Sequence, residues 1–258
     1  MMKKNLMTMG VVVLGFGLMA LPASGLSDGF DGDAGSAPDS SKWSVSTWDN
    51  NGGATTVEQD GASNVVITTG EPPVTIAGMT AVDAVATDPG AGLFHRATFG
   101  YSSPGAAGHK YLGFKAGSGG VGAIRLGTTY GGSPNTFTLA VGNWEQPGEI
   151  FARWNTGISE EAAGDWVIEV YSGKALAYFK GNLVADTTTP EDSILGTLPS
   201  GYGWGDIVPQ DPKITVFAEA VNGAVASFGL ISLETVPEPT TLALLGIGGL
   251  MAARRKRA

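Results

Sequence analysis

The chain has 258 residues, with 40 glycines, no cysteine and a formal net charge of −9. Glycine costs about 1 kcal/mol relative to alanine inside a helix, so the composition argues against a helical protein. Without cysteine, disulfide bonds and thiolate chemistry are excluded, and the redox compartment stays open. Residues 27–235 hold nine basic and 23 acidic side chains, a net charge of −14 that repels nucleic acid and anionic lipid and can attract divalent cations.

Residues 1–26 read as a secretory signal peptide with a helical apolar segment. Lys3 and Lys4 precede an uncharged run at 9–21, and small residues follow it. The run is shorter than the roughly 20 apolar residues that span a bilayer, so cleavage near 24–26 is favoured over a retained anchor. The sequence therefore predicts passage through the Sec translocon and processing by signal peptidase.

An acidic, glycine-rich segment follows the signal peptide. Its single aromatic, Phe30, is predicted to be the inward residue of a short first strand. Asp28, Asp31 and Asp33 lie on glycine-hinged backbone, and clustered carboxylates suit the six to eight oxygen ligands of calcium. They form a candidate calcium site to which Asp39 can add a ligand. Their spacing is not that of an EF-hand, and solvated loop acids are the alternative.

The rest of the domain is a succession of short strand patterns. Alternation predicts a strand at 42–48, and 55–58 with 64–69 form a hairpin around Asp60-Gly61. Further strands are predicted at 74–80, 92–101, 111–116, 122–128, 137–141, 149–154, 166–171, 175–180, 213–219 and 224–233. Such a series, without an internal repeat, indicates one β-sandwich or barrel in 27–235.

The two ends of this domain favour one kind of sandwich. An Asp-Gly-Phe-Asp segment and a Ser-Lys-Trp triplet open it, and the strand at 226–233 closes it. This layout resembles the concanavalin A-like, or laminin G-like, jelly roll. The resemblance implies an all-β, antiparallel β-sandwich in which the first and last strands pair, with Phe30 beside 228–233. An immunoglobulin-like sandwich is the alternative, although the domain is long for one.

The tail at 236–258 has three parts in a fixed order. Val236 to Pro239 contains two prolines, which predict an extended and unpaired backbone. An apolar run at 242–253 follows, and four consecutive cations end it. An apolar run stopped by basic residues is typical of a transmembrane helix whose charged end stays cytoplasmic.

Together the three parts resemble the PEP-CTERM sorting signal that exosortases recognise in Gram-negative, exopolysaccharide-producing bacteria. The resemblance implies export, transient anchoring in the inner membrane, removal of the tail by an exosortase, and delivery to the cell surface or extracellular matrix. The sorting residues that it implies are Pro237, Glu238, Pro239, Arg254, Arg255, Lys256 and Arg257.

Catalytic patterns are not evident in the sequence. A retaining glycosidase needs two carboxylates about 5–5.5 Å apart, and no set of acids has the strand spacing that such enzymes use. The acids at Glu160-Glu161 and from Asp165 to Glu169 are predicted to lie at the surface. His95 and His109 each lack a second ligand at metal spacing. The sequence predicts no catalytic residue.

Aromatic residues in polar loops are candidates for stacking on sugar rings. They are Trp48, Trp144, Tyr202 and Trp204. Strand alternation instead assigns Trp43, Trp154 and Trp166 to the core.

Three functions follow from these observations. The favoured one is a non-catalytic surface or matrix protein that faces extracellular polysaccharide. The alternatives are a calcium-dependent carbohydrate-binding lectin and a polysaccharide hydrolase on the same scaffold. Calcium is the only cofactor that the sequence suggests, and the predicted partners are the export machinery, an exosortase and a polysaccharide.

Overall fold

The computed structural model describes residues 25–49, 55–70, 75–83, 93–102, 109–115, 122–128, 136–143, 150–189, 213–220 and 224–237. Within these ranges the regular structure is entirely β. The strands are β1 (Leu26–Asp28), β2 (Trp43–Asp49), β3 (Thr56–Gln59), β4 (Val65–Thr68), β5 (Thr75–Ala81), β6 (Leu93–Ser102), β7 (His109–Lys115), β8 (Gly122–Thr128), β9 (Thr136–Asn143), β10 (Ile150–Ser159), β11 (Gly164–Val170), β12 (Ala175–Phe179), β13 (Asn182–Asp186), β14 (Lys213–Ala220) and β15 (Val225–Pro237). None of the described residues forms a helix with the length and apolarity to cross a membrane. The predicted signal peptide up to residue 24 and the tail from 238 lie outside the described residues.

Two antiparallel sheets form the sandwich that the sequence predicts. The seven-stranded sheet has the order β10-β9-β8-β7-β14-β5-β2. The eight-stranded sheet has the order β13-β12-β11-β6-β15-β4-β3, and β1 pairs with β15 beside this path. In the seven-stranded sheet, β7 to β10 follow one another as a meander, whereas β14 returns from late in the chain to pair with β5 and β7. This non-local pairing is the jelly-roll feature.

The first and last strands pair as predicted, but Phe30 lies outside the pairing. β1 aligns Leu26 with Leu233 and Asp28 with Ile231. Phe30 follows two residues after β1 has ended, at a φ of 54° that no strand adopts. Its side chain is nevertheless only 1% exposed. The prediction of burial is confirmed, and the prediction that Phe30 is a strand residue is wrong because the chain turns there into the core.

A band of aromatic side chains joins the two sheets. Phe137 on β9 packs edge-on against Tyr101, at 5.2 Å between ring centroids, and against Trp166, at 5.0 Å. Tyr101 and Trp166 belong to the eight-stranded sheet, and Trp166 continues to Phe179 at 4.7 Å. Full burial of one such ring contributes about 1.5–3 kcal/mol. Core positions were also predicted for Trp43, Trp154 and Trp166, and all three are buried.

Two other features of the chain differ from the sequence prediction. β13, which pairs with β12 at the sheet edge, was not predicted. Its exposed Leu183 and the short turn at Lys180-Gly181 hide the usual alternation. β15 also runs through Thr235 and Val236 to Pro237, paired with β6, so the prediction of an unpaired backbone is wrong for Val236 and Pro237. Proline lacks only the N–H, and at the end of a strand that loss is tolerated.

Candidate functional site

Asp28, the last residue of β1, stabilises the loop that follows it. Its Oδ1 accepts a hydrogen bond from the Phe30 backbone N–H at 3.1 Å, and its Oδ2 accepts one from Trp43 Nε1 at 2.8 Å. Lys42 Nζ lies 3.6 Å from Oδ1. Both oxygens of this buried carboxylate therefore fix the turn of the chain into the core.

The other proposed calcium ligands lie nearer to solvent. Asp31 Oδ1 accepts a hydrogen bond from Ser63 Oγ at 3.1 Å, and Asp33 is exposed. Asp39 Oδ1 accepts from the Ser41 N–H and hydroxyl, which hold the pKa of this carboxyl below its usual range. Among the described residues, no three acidic or histidine side chains are grouped so that they could hold a metal. Calcium binding at this loop stays a prediction.

The aromatic residues predicted to stack on sugars cannot be placed in the same way. Trp48 lies in β2 opposite Ile76 of β5, but its side chain is outside the described part. Trp144, Tyr202 and Trp204 also lie outside the described residues. Their role as a sugar platform stays a prediction.

A different pair of aromatic residues lies on the outer face of the seven-stranded sheet. Tyr111 of β7 and Phe217 of β14 are direct cross-strand partners. Their neighbours Leu112, Val216 and Ala218 belong to the buried core, so alternation places the two aromatic side chains on the opposite face. Both are half-buried. We call this pair the aromatic row.

Glycine flanks the aromatic row on both sides. Gly127 of β8 is paired with Tyr111, and Gly78 of β5 is paired with Phe217. A Cβ added at Gly127 would lie 2.7 Å from Tyr111 Cδ1, and one added at Gly78 would meet the Phe217 ring more closely still. Each ring therefore occupies the space in which its neighbour's side chain would stand. The two rings cover the middle of the face, from β8 to β5.

Cationic side chains border the aromatic row. The Arg125 guanidinium lies 4.8 Å from the centre of the Tyr111 ring, and Lys115 Nζ lies 5.7 Å from that of Phe217. His109 stacks beside Tyr111 at 6.4 Å. Cation–π contacts at these distances hold the rings in place. Aromatic rings beside hydrogen-bond donors are suited to bind a hydroxyl-rich ligand such as a saccharide.

Carboxylates gather on the opposite face of the sandwich. Arg96 of β6 binds Glu169 through Nε and Nη2, at 3.0 and 2.8 Å, and Glu234 through Nη1, at 3.3 Å. Glu169 Oε2 accepts hydrogen bonds from the hydroxyls of Tyr171, at 2.7 Å, and Tyr178, at 3.3 Å. Burial, together with the Glu169 carboxylate, raises the pKa of both phenols, so they remain donors. Arg96 therefore pairs with both carboxylates on this face.

Two acids and two histidines are buried and do not lie at the surface. Glu160 and Glu169 are buried, so the prediction of a surface position is wrong for them. Glu160 Oε2 lies 3.6 Å from Nζ of Lys110, an interior ion pair. His95 and His109 are buried beside threonines, with His95 Nδ1 3.1 Å from Thr235 Oγ1. Charge pairing and packing account for these positions.

The aromatic row was missed because its signal is spread over distant parts of the chain. Alternation in β7 places Tyr111 with Lys115, and alternation in β14 places Phe217 with Lys213. Nothing in the sequence shows that two strands about 100 residues apart are neighbours. Only the non-local pairing of β14 with β7 brings the rings together.

Two solved structures are similar to the chain in fold. The chain is similar to a structure reported for the endo-acting O-glycanases with which human gut microbiota initiate mucin breakdown, with a TM-score of 0.55, 10% identity, and coverage of 83% of this chain and 98% of that chain. It is also similar to an immunostimulatory antigen and pseudo β-1,3-glucanase of Mycobacterium tuberculosis, with a TM-score of 0.50, 17% identity, and coverage of 83% and 98%. At these identities the likeness shows the fold alone, a concanavalin A-like jelly roll.

Sequence comparison identifies only the tail. No curated protein matches the chain. The PEP-CTERM protein-sorting motif matches residues 235–257, beginning within β15. The motif indicates export with a C-terminal membrane-anchoring sorting signal, recognition by an exosortase and a surface location. The chain has the fold of a concanavalin A-like jelly roll and carries a PEP-CTERM sorting motif at its C-terminus.

Proposed function

We propose that this chain is an exported, exosortase-processed surface or matrix protein whose sandwich binds extracellular polysaccharide without cleaving it. The observation that carries the proposal is the aromatic row on the outer face of the seven-stranded sheet. Tyr111 and Phe217 present adjoining rings there, with the half-buried Lys115 as a bordering donor and the buried Arg125 packed against Tyr111. Saccharide faces stack on aromatic rings while their hydroxyls take hydrogen bonds from such donors. A Gram-negative host and the predicted export partners belong to the same proposal.

The described carboxylates are not arranged for cleavage of a polysaccharide. On the outer face of the seven-stranded sheet, none of the described side chains is an acid. On the other face, Glu169 and Glu234 are bound by the same guanidinium, and Glu169 is buried under two tyrosines. A general acid and a nucleophile must face the sugar with oxygens available to it. Glu169 does not meet that requirement, because it is buried and both of its oxygens accept hydrogen bonds, so this pair cannot supply both groups.

The test separates binding from hydrolysis. The mature protein is recovered from exporting cells and run by affinity electrophoresis through gels that contain individual polysaccharides. We expect retardation by at least one polysaccharide, weakened in Tyr111→Ala and in Phe217→Ala. Tyr178→Ala, on the other face, is the matched aromatic control and should migrate like the wild type. Melting temperatures of all variants exclude unfolding as the cause.

Two results contradict the proposal. If no polysaccharide retards the protein, the aromatic row is not a saccharide site. If reducing ends appear during incubation, the protein is a hydrolase. Retardation that disappears in chelator would instead favour the calcium-dependent lectin, with the acidic loop as its metal site.

A further inference from the structure

Most edges of the two described sheets are protected against pairing with a further strand. The paths of the sheets end at β3, β13, β10 and β2. At β3, the Gly35 N–H donates to the Gln59 carbonyl and the Gln59 N–H donates to the Ser36 carbonyl, so a loop already pairs with this strand. β13 is short and has a register shift against β12, and β10 has two register shifts and carries Arg153. Covering loops, short strands, bulges and charges are the usual means of protecting an edge.

The edge strand β2 has none of these features. Its register with β5 is unbroken from Trp43 to Asp49, and residues 43–48 include no charge, proline or glycine. Residues 44–47 are all exposed, on both faces of the strand, and Val45 is 42% exposed. Among the described strands, none pairs with the outer edge of β2. A long and uncharged edge of this kind is a template for another strand.

Hydrogen bonds at the start of β2 show which backbone groups face the open edge. The Val82 N–H donates to the Lys42 carbonyl, whereas the Trp43 N–H donates to the Asp39 carbonyl. Residues that bond to a neighbouring strand alternate along an antiparallel pair. Every second residue from Trp43 onward, and therefore Val45, directs its N–H and C=O away from β5. These groups are placed to form hydrogen bonds with an added strand.

The distribution of charge along β2 favours an antiparallel second copy of this chain as that strand. Lys42 precedes the strand and Asp49 ends it, with uncharged residues between them. Lys42 keeps 40% of its side chain exposed, although its Nζ lies 3.6 Å from Asp28. Antiparallel pairing brings the cationic end of one copy to the acidic end of the other, whereas parallel pairing would oppose like charges. The contact is therefore compatible with a domain whose net charge is −14.

We propose that β2 pairs with β2 of a second copy about a twofold axis perpendicular to the sheet, with the two Val45 residues directly opposite each other. The two Val45 residues exchange N–H···O=C bonds, and Thr47 of each copy lies opposite Trp43 of the other. The exposed Val45 side chains then bury each other. Both copies use the same edge, and β10 at the far edge is protected. The pairing therefore closes as a dimer and does not grow into a fibre.

The first experiment measures the association of the mature protein by sedimentation equilibrium. One strand pair buries less than the roughly 800 Å² per partner of a stable complex, so we expect a dissociation constant of about 10–100 µM. Val45→Lys opposes two ammonium groups at the twofold axis and should weaken the dimer about tenfold. Leu183→Lys is the matched control, because Leu183 is an exposed residue of the protected edge β13. It should change the dissociation constant less than about twofold.

The second experiment uses the absence of cysteine from the chain. Val45→Cys introduces a single thiol, and directly opposed residues of a hydrogen-bonded pair have Cα atoms about 5.5 Å apart, a distance that a disulfide spans. Under mild oxidation we expect Val45→Cys to form a covalent dimer at least about tenfold faster than Leu183→Cys. Melting temperatures confirm that all variants are folded.

Three results would overturn the proposal. The first is a mature protein that stays monomeric up to about 1 mM, which would leave the β2 edge to an extended segment of a different protein. The second is equal weakening of the dimer by Val45→Lys and Leu183→Lys, which would show that association does not use β2. The third is equal rates of disulfide formation in Val45→Cys and Leu183→Cys, which would indicate random collision and not pairing at Val45.

Discussion

Pro237 lies directly opposite Leu93 in the antiparallel ladder between β15 and β6. The PEP-CTERM motif begins at Thr235, so its first three residues are part of the sheet. A protease binds its substrate as an extended segment with free backbone groups, which a ladder strand lacks. The end of β15 must therefore separate from β6 before a protease can bind these residues.

We predict that loosening this junction accelerates removal of the tail. A flexible insert of about six Gly and Ser residues between Glu234 and Thr235 would separate the motif from the ladder. Processing should become faster, because no strand pairing then has to break. Pulse–chase labelling in exosortase-containing cells measures the rate, and the same insert at the exposed Ser172-Gly173 turn is the control. Equal rates for both inserts would show that the ladder does not limit processing.

A methyl group at Gly127 should disrupt the aromatic row. The added Cβ would lie 2.7 Å from Tyr111 Cδ1, so the ring has to leave its position over β8. We expect Gly127→Ala to lower the free energy of unfolding by about 1–3 kcal/mol and to weaken polysaccharide binding. Gly173→Ala, where a Cβ meets no atom within 4 Å, should stay within about 0.5 kcal/mol of the wild type. Unchanged binding in a stable Gly127→Ala variant would exclude Tyr111 from the site.

Removal of the Asp28 carboxylate should destabilise the entrance to the core. Asp28→Ala leaves the buried Trp43 Nε1 and the Phe30 N–H without their acceptor, at a cost of about 1–3 kcal/mol per unsatisfied group. Asp31→Ala loses only an exposed hydrogen bond to Ser63 and should change stability by about 0.5 kcal/mol or less. Urea unfolding in the presence of chelator measures both variants. Equal stabilities of the two variants would show that Asp28 has no structural role in this loop.

Measurements of melting temperature test whether the acidic loop binds calcium. Because both Asp28 oxygens are engaged, a bound ion would depend on Asp31 and Asp33 together with backbone carbonyls. Calcium at a hundred times its dissociation constant would add about 2.7 kcal/mol, or roughly 5–11 °C. Asp31→Ala should then lose most of that gain. The same melting temperature in chelator and in millimolar calcium would show that this loop does not bind calcium.

The interior pair of Lys110 and Glu160 should act as a unit. Lys110→Met leaves a buried carboxylate without its ammonium partner and should cost about 3–5 kcal/mol, while Lys110→Met/Glu160→Gln recovers most of the loss. Burial lowers the pKa of Lys110 below its ordinary 10.5, and the Glu160 carboxylate offsets this only in part. At pH values just below 10.5, Lys110 is therefore more fully protonated in the unfolded chain than in the folded protein. Stability relative to the double variant should rise with pH there, as equilibrium unfolding in that range would show.

Local sequence patterns were sufficient to predict most strands and the sorting signal of the protein. Alternation identified most strands because each buries one face, and it assigned Trp43, Trp154 and Trp166 to the core. The order of proline, apolar and basic segments identified the sorting motif without any folded structure. These signals lie within short stretches of chain, so the sequence displays them directly.

Tertiary structure decided the candidate site and the junction with the tail. Tyr111 and Phe217 become neighbours only because β14 pairs with β7, and Lys115 faces Lys213 through the same register. The two prolines predicted a free segment, yet pairing with β6 extends β15 through Pro237. Phe30 leaves the first strand because Asp28 turns the chain into the core. Which distant strands pair depends on the packing of the whole sandwich, and the pattern within one strand does not identify its partner.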